Sequence, residues 1–85
     1  MPERTAAEIE AALVAYLRDE FDLDESDLVP DRKLVRTGLL DSVSIVQVAT
    51  WAERTFDITI PDEDIDAETL DSIAMIVDYV LARSR

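Results

Sequence analysis

Thr37-Gly38-Leu39-Leu40-Asp41-Ser42-Val43 is the stretch on which the reading of this 85-residue chain turns. Gly38 permits a backbone turn that other residues resist, the two leucines can anchor the incoming chain, and Asp41 is a favoured N-cap residue. Residues 43–56 then run without Gly or Pro and carry apolar residues at helical spacing, which predicts a helix. Ser42 falls in its first turn, beside unpaired backbone N–H groups and the positive end of the helix dipole, where an attached anion is stabilised.

On a wheel of about 100° per residue, Ile45, Val48, Ala49, Ala52 and Phe56 share one side of this helix and are expected in the core. Val43, Val46, Gln47, Thr50, Glu53 and Arg54 gather on another face that adjoins Ser42. Two readings of Val43 and Val46 stand side by side: contacts for a partner, or residues covered by a neighbouring loop or helix. The lone Trp51 lies well away from Ser42 on the wheel and reads as packing.

Upstream, Thr5-Ala6-Ala7-Glu8 has the form of a capping box, and Ile9, Leu13, Tyr16, Leu17 and Phe21 continue as an apolar stripe. Asp22, Asp24, Ser26 and Asp27 break that periodicity and Pro30 prevents a regular helix, so a long loop runs to Asp41. Leu28, Leu34, Val35 and Leu39 are its candidate pins. Downstream, Ile58-Thr59-Ile60-Pro61 reads as an extended connector and Pro61 opens a short helix through about Ile65, which plugs the core. The final helix begins near Asp71, read as its N-cap, with a buried stripe of Ile73, Ile76, Val77, Val80 and Leu81 and with Arg83 suiting its C-terminal dipole. The expected fold is an all-α four-helix bundle of three longer helices plus a short third one, spanning residues 1–85 as a single domain.

Composition narrows the chemistry. A chain this short buries too little surface to wall a catalytic cleft, although 48% hydrophobic residues suffice for a core. Eight basic against 20 acidic residues give a net charge of −12, which repels nucleic acid and anionic lipid and favours partners with basic patches. Without cysteine there is no thiolate or disulfide, and without histidine there is no usual general base for a serine nucleophile. No catalytic residue and no metal site is expected. Asp62, Asp64 and Asp66 begin an EF-hand-like spacing, but Ala67 stands where that loop needs glycine and Ile73 where it needs a bidentate Glu. Met1-Pro2-Glu3-Arg4 does not open an apolar signal region, and a cytoplasmic location is the default.

Gly38-Leu39-Leu40-Asp41-Ser42-Val43, together with Ile60-Pro61-Asp62-Glu63-Asp64 and Asp78-Tyr79-Val80, resembles the acyl and peptidyl carrier protein family over nearly the whole chain. The resemblance implies a 4'-phosphopantetheine, drawn from coenzyme A, attached to Ser42 and holding an acyl or aminoacyl cargo as a thioester. It also implies that Asp41 belongs to the transferase recognition motif and helps position the metal-bound coenzyme A, while Leu40 and Val43 contact the transferase. Val43, Val46 and Gln47 are expected to dock downstream enzymes. Two features depart from the common family pattern: Val43 follows the serine where Leu or Met is more usual, and two residues separate Gly38 from Asp41. The two-residue spacing resembles free-standing carriers of natural-product pathways and D-alanyl carriers more than fatty-acid carriers, and Gln47 and Arg54 dilute the acidity of the second helix. The implied partners are a phosphopantetheinyl transferase, a loading adenylating enzyme or acyltransferase, and downstream biosynthetic enzymes, with a monomeric carrier and no nucleic acid or membrane. The alternative is an acidic helical adaptor that binds a basic partner and is never modified. Asp71-Ser72-Ile73 is a second Asp-Ser pair, without a preceding glycine turn, and ranks behind Ser42.

Overall fold

The computed structural model describes residues 5–66 and 68–83. Within them the chain forms three α-helices, α1 (Ala6–Phe21), α2 (Ser42–Phe56) and α3 (Ile73–Arg83), and two single 3-10 turns, Glu25–Asp27 and Asp62–Asp64. No strand occurs among the described residues. The all-α expectation holds, and the expected short third helix is a single 3-10 turn, Asp62–Asp64, rather than an α-helix.

The local signals act where expected at the helix starts. The Glu8 N–H donates to Thr5 Oγ1 and the Thr5 N–H donates to Glu8 Oε1, each at 3.2 Å, closing the capping box of α1. The ends are less usual. Both α1 and α2 stop at an aspartate in the left-handed region, Asp22 (φ 55°) and Asp57 (φ 56°), because the chain's single glycine is used elsewhere and Asp tolerates that conformation better than most residues.

The apolar stripes meet in one core. Ile9, Leu13 and Leu17 of α1, all five expected residues of α2, and Ile73, Ile76, Val77 and Val80 of α3 are buried, with Tyr16, Phe21, Ile65 and Leu81 half-buried against them. Trp51 is half-buried as well, stacked on Tyr16 at 4.5 Å between ring centroids and set edge-on to Phe56 at 5.4 Å.

At the expected third helix, Pro61 stays extended (ψ 148°) and only the i to i+3 bonds Asp64 N–H to Pro61 O and Ile65 N–H to Asp62 O follow. The Asp66 carboxylate then accepts the N–H groups of Glu68 and Thr69 at 3.0 and 2.9 Å. A short acidic side chain that caps its own downstream backbone competes with helix continuation beyond Ile65, so the segment stays at one 3-10 turn. The turn is held to α3 instead: the Tyr79 hydroxyl donates to Asp64 Oδ2 at 2.6 Å and Arg83 reaches the same oxygen at 3.2 Å. Burial, and then the bond to Asp64, push the Tyr79 hydroxyl up to about 12.

Asp71 is the second correction. It is fully buried and does not cap α3; Ser72 does, its Oγ accepting the Met75 N–H at 3.1 Å. The Asp71 carboxylate reaches back to the long loop, where Oδ1 accepts the N–H groups of Val35 and Arg36 at 2.6 and 3.3 Å. Its Oδ2 lies 3.2 Å from Arg36 Nε as an ion pair without an aligned hydrogen bond. The Leu34 N–H donates to the Asp71 carbonyl, and the Ala74 N–H in the first turn of α3 donates to Pro30 O at 3.1 Å. Leu28, Leu34 and Leu40 then seat the loop in the core.

Removing the carboxylate orphans two backbone donors, whereas the Arg36 pair is largely exposed and screened. Asp71→Ala is expected to lower unfolding stability by about 2–4 kcal/mol in urea denaturation. Asp71→Asn, which keeps an accepting oxygen, should lose less. An unchanged midpoint in Asp71→Ala would remove the carboxylate from its place as the loop's anchor.

Candidate functional site

The exposed end of the pinned loop delivers the site. Gly38 has φ +85°, in the region that side chains disfavour, and its N–H closes a turn on Val35 O at 3.1 Å. The Leu40 N–H then bonds Leu34 O at 2.9 Å, which turns the chain into α2. Asp41 is the N-cap: its carboxylate accepts the Ser44 N–H at 2.7 Å and its carbonyl takes the Ile45 N–H at 3.1 Å. That Ser44 N–H bond, assisted by the Ser44 hydroxyl, holds the Asp41 carboxyl below its ordinary range, so it is anionic at neutral pH.

Ser42 is the first residue of α2 and is exposed. Its hydroxyl stands at the positive end of the helix with solvent around it, a setting that suits a covalently attached phosphodiester on charge and on room. The other described serines do not share it. Ser72 is buried at 2% exposure with its oxygen used as a cap, Ser44 is half-buried, and Ser26 lies between Asp24, Glu25 and Asp27, where a second anion is repelled. The two Asp-Ser pairs that look alike in sequence therefore face opposite ways.

Of the expected partner-contacting residues, Val43 (66% exposed), Val46 (48%) and Gln47 are open to solvent beside Ser42. Neither the long loop nor a third helix covers the valines. Leu40 is only 3% exposed, which fits its reading as an anchor of the incoming chain and not the contact with a transferase that the resemblance implied. Leu39 beside it is half-buried.

A feature that periodicity did not signal lies further along the same helix. A cleft of about 500 Å³ opens between α1 and α2, lined by Tyr16, Val46, Gln47, Thr50, Trp51 and Arg54 among others. Burial, and then the nearby Glu20 carboxylate, raise the Tyr16 hydroxyl above its usual value, and it donates to Gln47 O at 3.4 Å. The only sequence signal was the pair of large aromatics flanking the core stripes of α1 and α2. Among the described residues no group of acidic side chains is arranged to hold a metal ion, and no helix is long and apolar enough to cross a membrane.

Comparison with known proteins adds to this geometry. The model of a family described as the phosphopantetheine attachment site matches residues 11–80. The chain is similar to an acyl carrier protein of Syntrophobacter fumaroxidans, with 28% identity over 74 residues that cover 87% of this chain and 89% of the relative. It is also similar to the meromycolate extension acyl carrier protein of Mycolicibacterium smegmatis, 29% identical over 76 residues that cover 89% of this chain and 75% of the relative. The corresponding protein of Mycobacterium leprae is 28% identical over 76 residues, covering 89% and 64%.

A Cβ at position 38 would meet nothing within 4 Å, so any cost of filling it comes from the backbone alone. Gly38→Ala should cost about 1–2 kcal/mol in urea denaturation, and Gly38→Asn less, since Asn visits positive φ more readily. Equal losses for both variants would contradict a backbone origin.

Proposed function

We propose, proceeding from the fact that this chain belongs to the phosphopantetheine-binding family of acyl carrier proteins, that Ser42 carries its prosthetic group. Membership makes the chain a carrier with a 4'-phosphopantetheine, not an enzyme. When bound, that group supplies a terminal thiol on which cargo rides as a thioester. What supports Ser42 is its exposure on the first turn of a helix whose start is held by Asp41 and by the pinned loop, while Ser72 is buried.

Each residue of the site then has a task. Modification forms a bond from Ser42 Oγ to phosphorus as a diphosphate P–O bond of coenzyme A breaks; adenosine bisphosphate departs and the hydroxyl proton is given up. The α2 N-terminus stabilises the resulting phosphodiester anion. Asp41 keeps the helix start closed by holding the Ser44 N–H, and as a carboxylate it is available to the metal that accompanies coenzyme A in the transferase. With no cysteine or histidine, the chain offers neither a thiol nor an imidazole to attack the thioester it carries.

The exposed Val43, Val46 and Gln47 form the surface that the transferase and the loading and downstream enzymes meet, with basic patches complementing the acidic remainder. The printed names of the relatives favour an acyl cargo over an aminoacyl one. Gln47 and Arg54 on α2, and the two leucines between Gly38 and Asp41, support a carrier of polyketide, nonribosomal peptide or related secondary metabolism. An unmodified adaptor would leave the family match over residues 11–80 without a cause.

Intact mass after incubation with coenzyme A, magnesium and a permissive phosphopantetheinyl transferase tests the site. One phosphopantetheine is expected on the parent and none on folded Ser42→Ala; an adduct that survives the substitution would move the site elsewhere. Val46→Asp, on an exposed helical position, is expected to slow acyl loading several-fold with the circular dichroism unchanged. Unaltered loading kinetics would count against that docking surface.

A further inference from the structure

We infer that Asp71 is a positioning residue for the modification of Ser42, acting through a relay of backbone bonds; the inference rests on Ser42 being the attachment residue. The relay starts at α3. The Leu34 N–H donates to the Asp71 carbonyl, and Asp71 Oδ1 accepts the N–H groups of Val35 and Arg36 at 2.6 and 3.3 Å. Leu34 O in turn accepts the Leu40 N–H at 2.9 Å, and Val35 O accepts the Gly38 N–H at 3.1 Å. Leu40 is joined to Asp41, whose carboxylate and carbonyl take the N–H groups of Ser44 and Ile45 at 2.7 and 3.1 Å. Ser42 opens that closed first turn.

Residues near Ser42 in sequence cannot do this alone. The Gly38 turn reverses the chain, but a Cβ there would meet nothing within 4 Å, so no neighbour braces its tip. The Asp41 cap orders the first turn of α2 without fixing how the chain enters it. Leu34 and Leu40 are buried, yet apolar contact is non-directional and sets their depth rather than the course of the backbone between them. Direction comes from hydrogen bonds. Among the described residues, every bond that ties residues 34–36 to another element ends on Asp71.

The consequence is kinetic. Without the carboxylate the Val35 and Arg36 N–H groups lose their acceptor, the loop takes several placements, and the Asp41–Ser42 turn is presented correctly for only a fraction of the time. Apparent affinity for the transferase falls by that fraction, while the complex, once formed, reacts as before. A raised KM for the carrier at unchanged kcat is the signature.

The test follows phosphopantetheinylation by a transferase that modifies the parent but not a peptide of residues 37–56, with coenzyme A and magnesium. All variants are assayed where circular dichroism shows them folded. Asp71→Ala is expected to raise KM several-fold with kcat unchanged, and to speed amide exchange at Leu40, Ser44 and Ile45 relative to Val48 and Ala52. Asp71→Asn, which keeps an accepting oxygen, should recover most of both effects. Val80→Ala, a truncation in the core of α3 outside the relay, should leave KM unchanged although it also lowers the urea midpoint. An unchanged KM in Asp71→Ala, an Asp71→Asn no better than alanine, or an equal rise in Val80→Ala would each overturn the positioning role while leaving the carrier reading intact. An adduct that survives Ser42→Ala would instead overturn the attachment site, and with it the end point of the relay.

Discussion

The buried carboxylate of Asp71 is the interaction on which the rest of the structure depends. The segment between α1 and α2 has little regular structure, and its polar backbone must be paired if its leucines are to enter the core. Asp71, distant in sequence, supplies the pairing through two side-chain bonds to Val35 and Arg36 and one carbonyl bond to Leu34. The exchange is mutual, since Pro30 of the loop accepts an N–H from the first turn of α3. One clasp thus orders a long connection and closes a helix end. Its energy lies in the buried backbone bonds rather than in the ion pair to Arg36, whose side chain is 62% exposed.

What the clasp achieves for function is a fixed start to α2. Leu34 and Leu40 are buried on either side of the Gly38 turn, so the chain that enters Asp41 comes from a held position. Ser42 stands exposed on that held base, the setting on which the proposed attachment rests. Stiffness below and openness above are what a mobile arm requires. The chain as a whole is strongly acidic, with a net charge of −12, while the exposed residues that follow Ser42 on its face of α2 include two valines and a glutamine.

The long periodic segments were legible because burial of one helix face imposes its own spacing. Ile45, Val48, Ala49, Ala52 and Phe56 could be assigned to the core from the wheel, and Thr5 with Glu8, or Asp41 with Ser44, could be read as caps, because these interactions join residues three or four apart. Interactions between distant residues were not legible in the same way. Asp71 reads as an N-cap in its local setting and becomes a buried anchor only when residues 34–36 arrive beside it. Leu40 reads both as an anchor of the incoming chain and as a transferase contact, and its burial bears out the first of these. The expected third helix is reduced to one 3-10 turn, Asp62–Asp64, and the Asp66 carboxylate caps the backbone that follows it.

By itself the sequence determined the helical class, the apolar faces, the glycine turn, and the placing of Ser42 on the first turn of a helix, since each follows from residues close along the chain. Only the tertiary structure decided which of two Asp-Ser pairs is open to solvent. It also decided that Val43 and Val46 remain uncovered and that Tyr16 and Trp51 come together as a cleft. The physical reason is that exposure is not a property of a residue and its neighbours in sequence. It depends on what packs over the residue, and here the same clasp that buries Asp71 beside Ser72 leaves Asp41 and Ser42 in water.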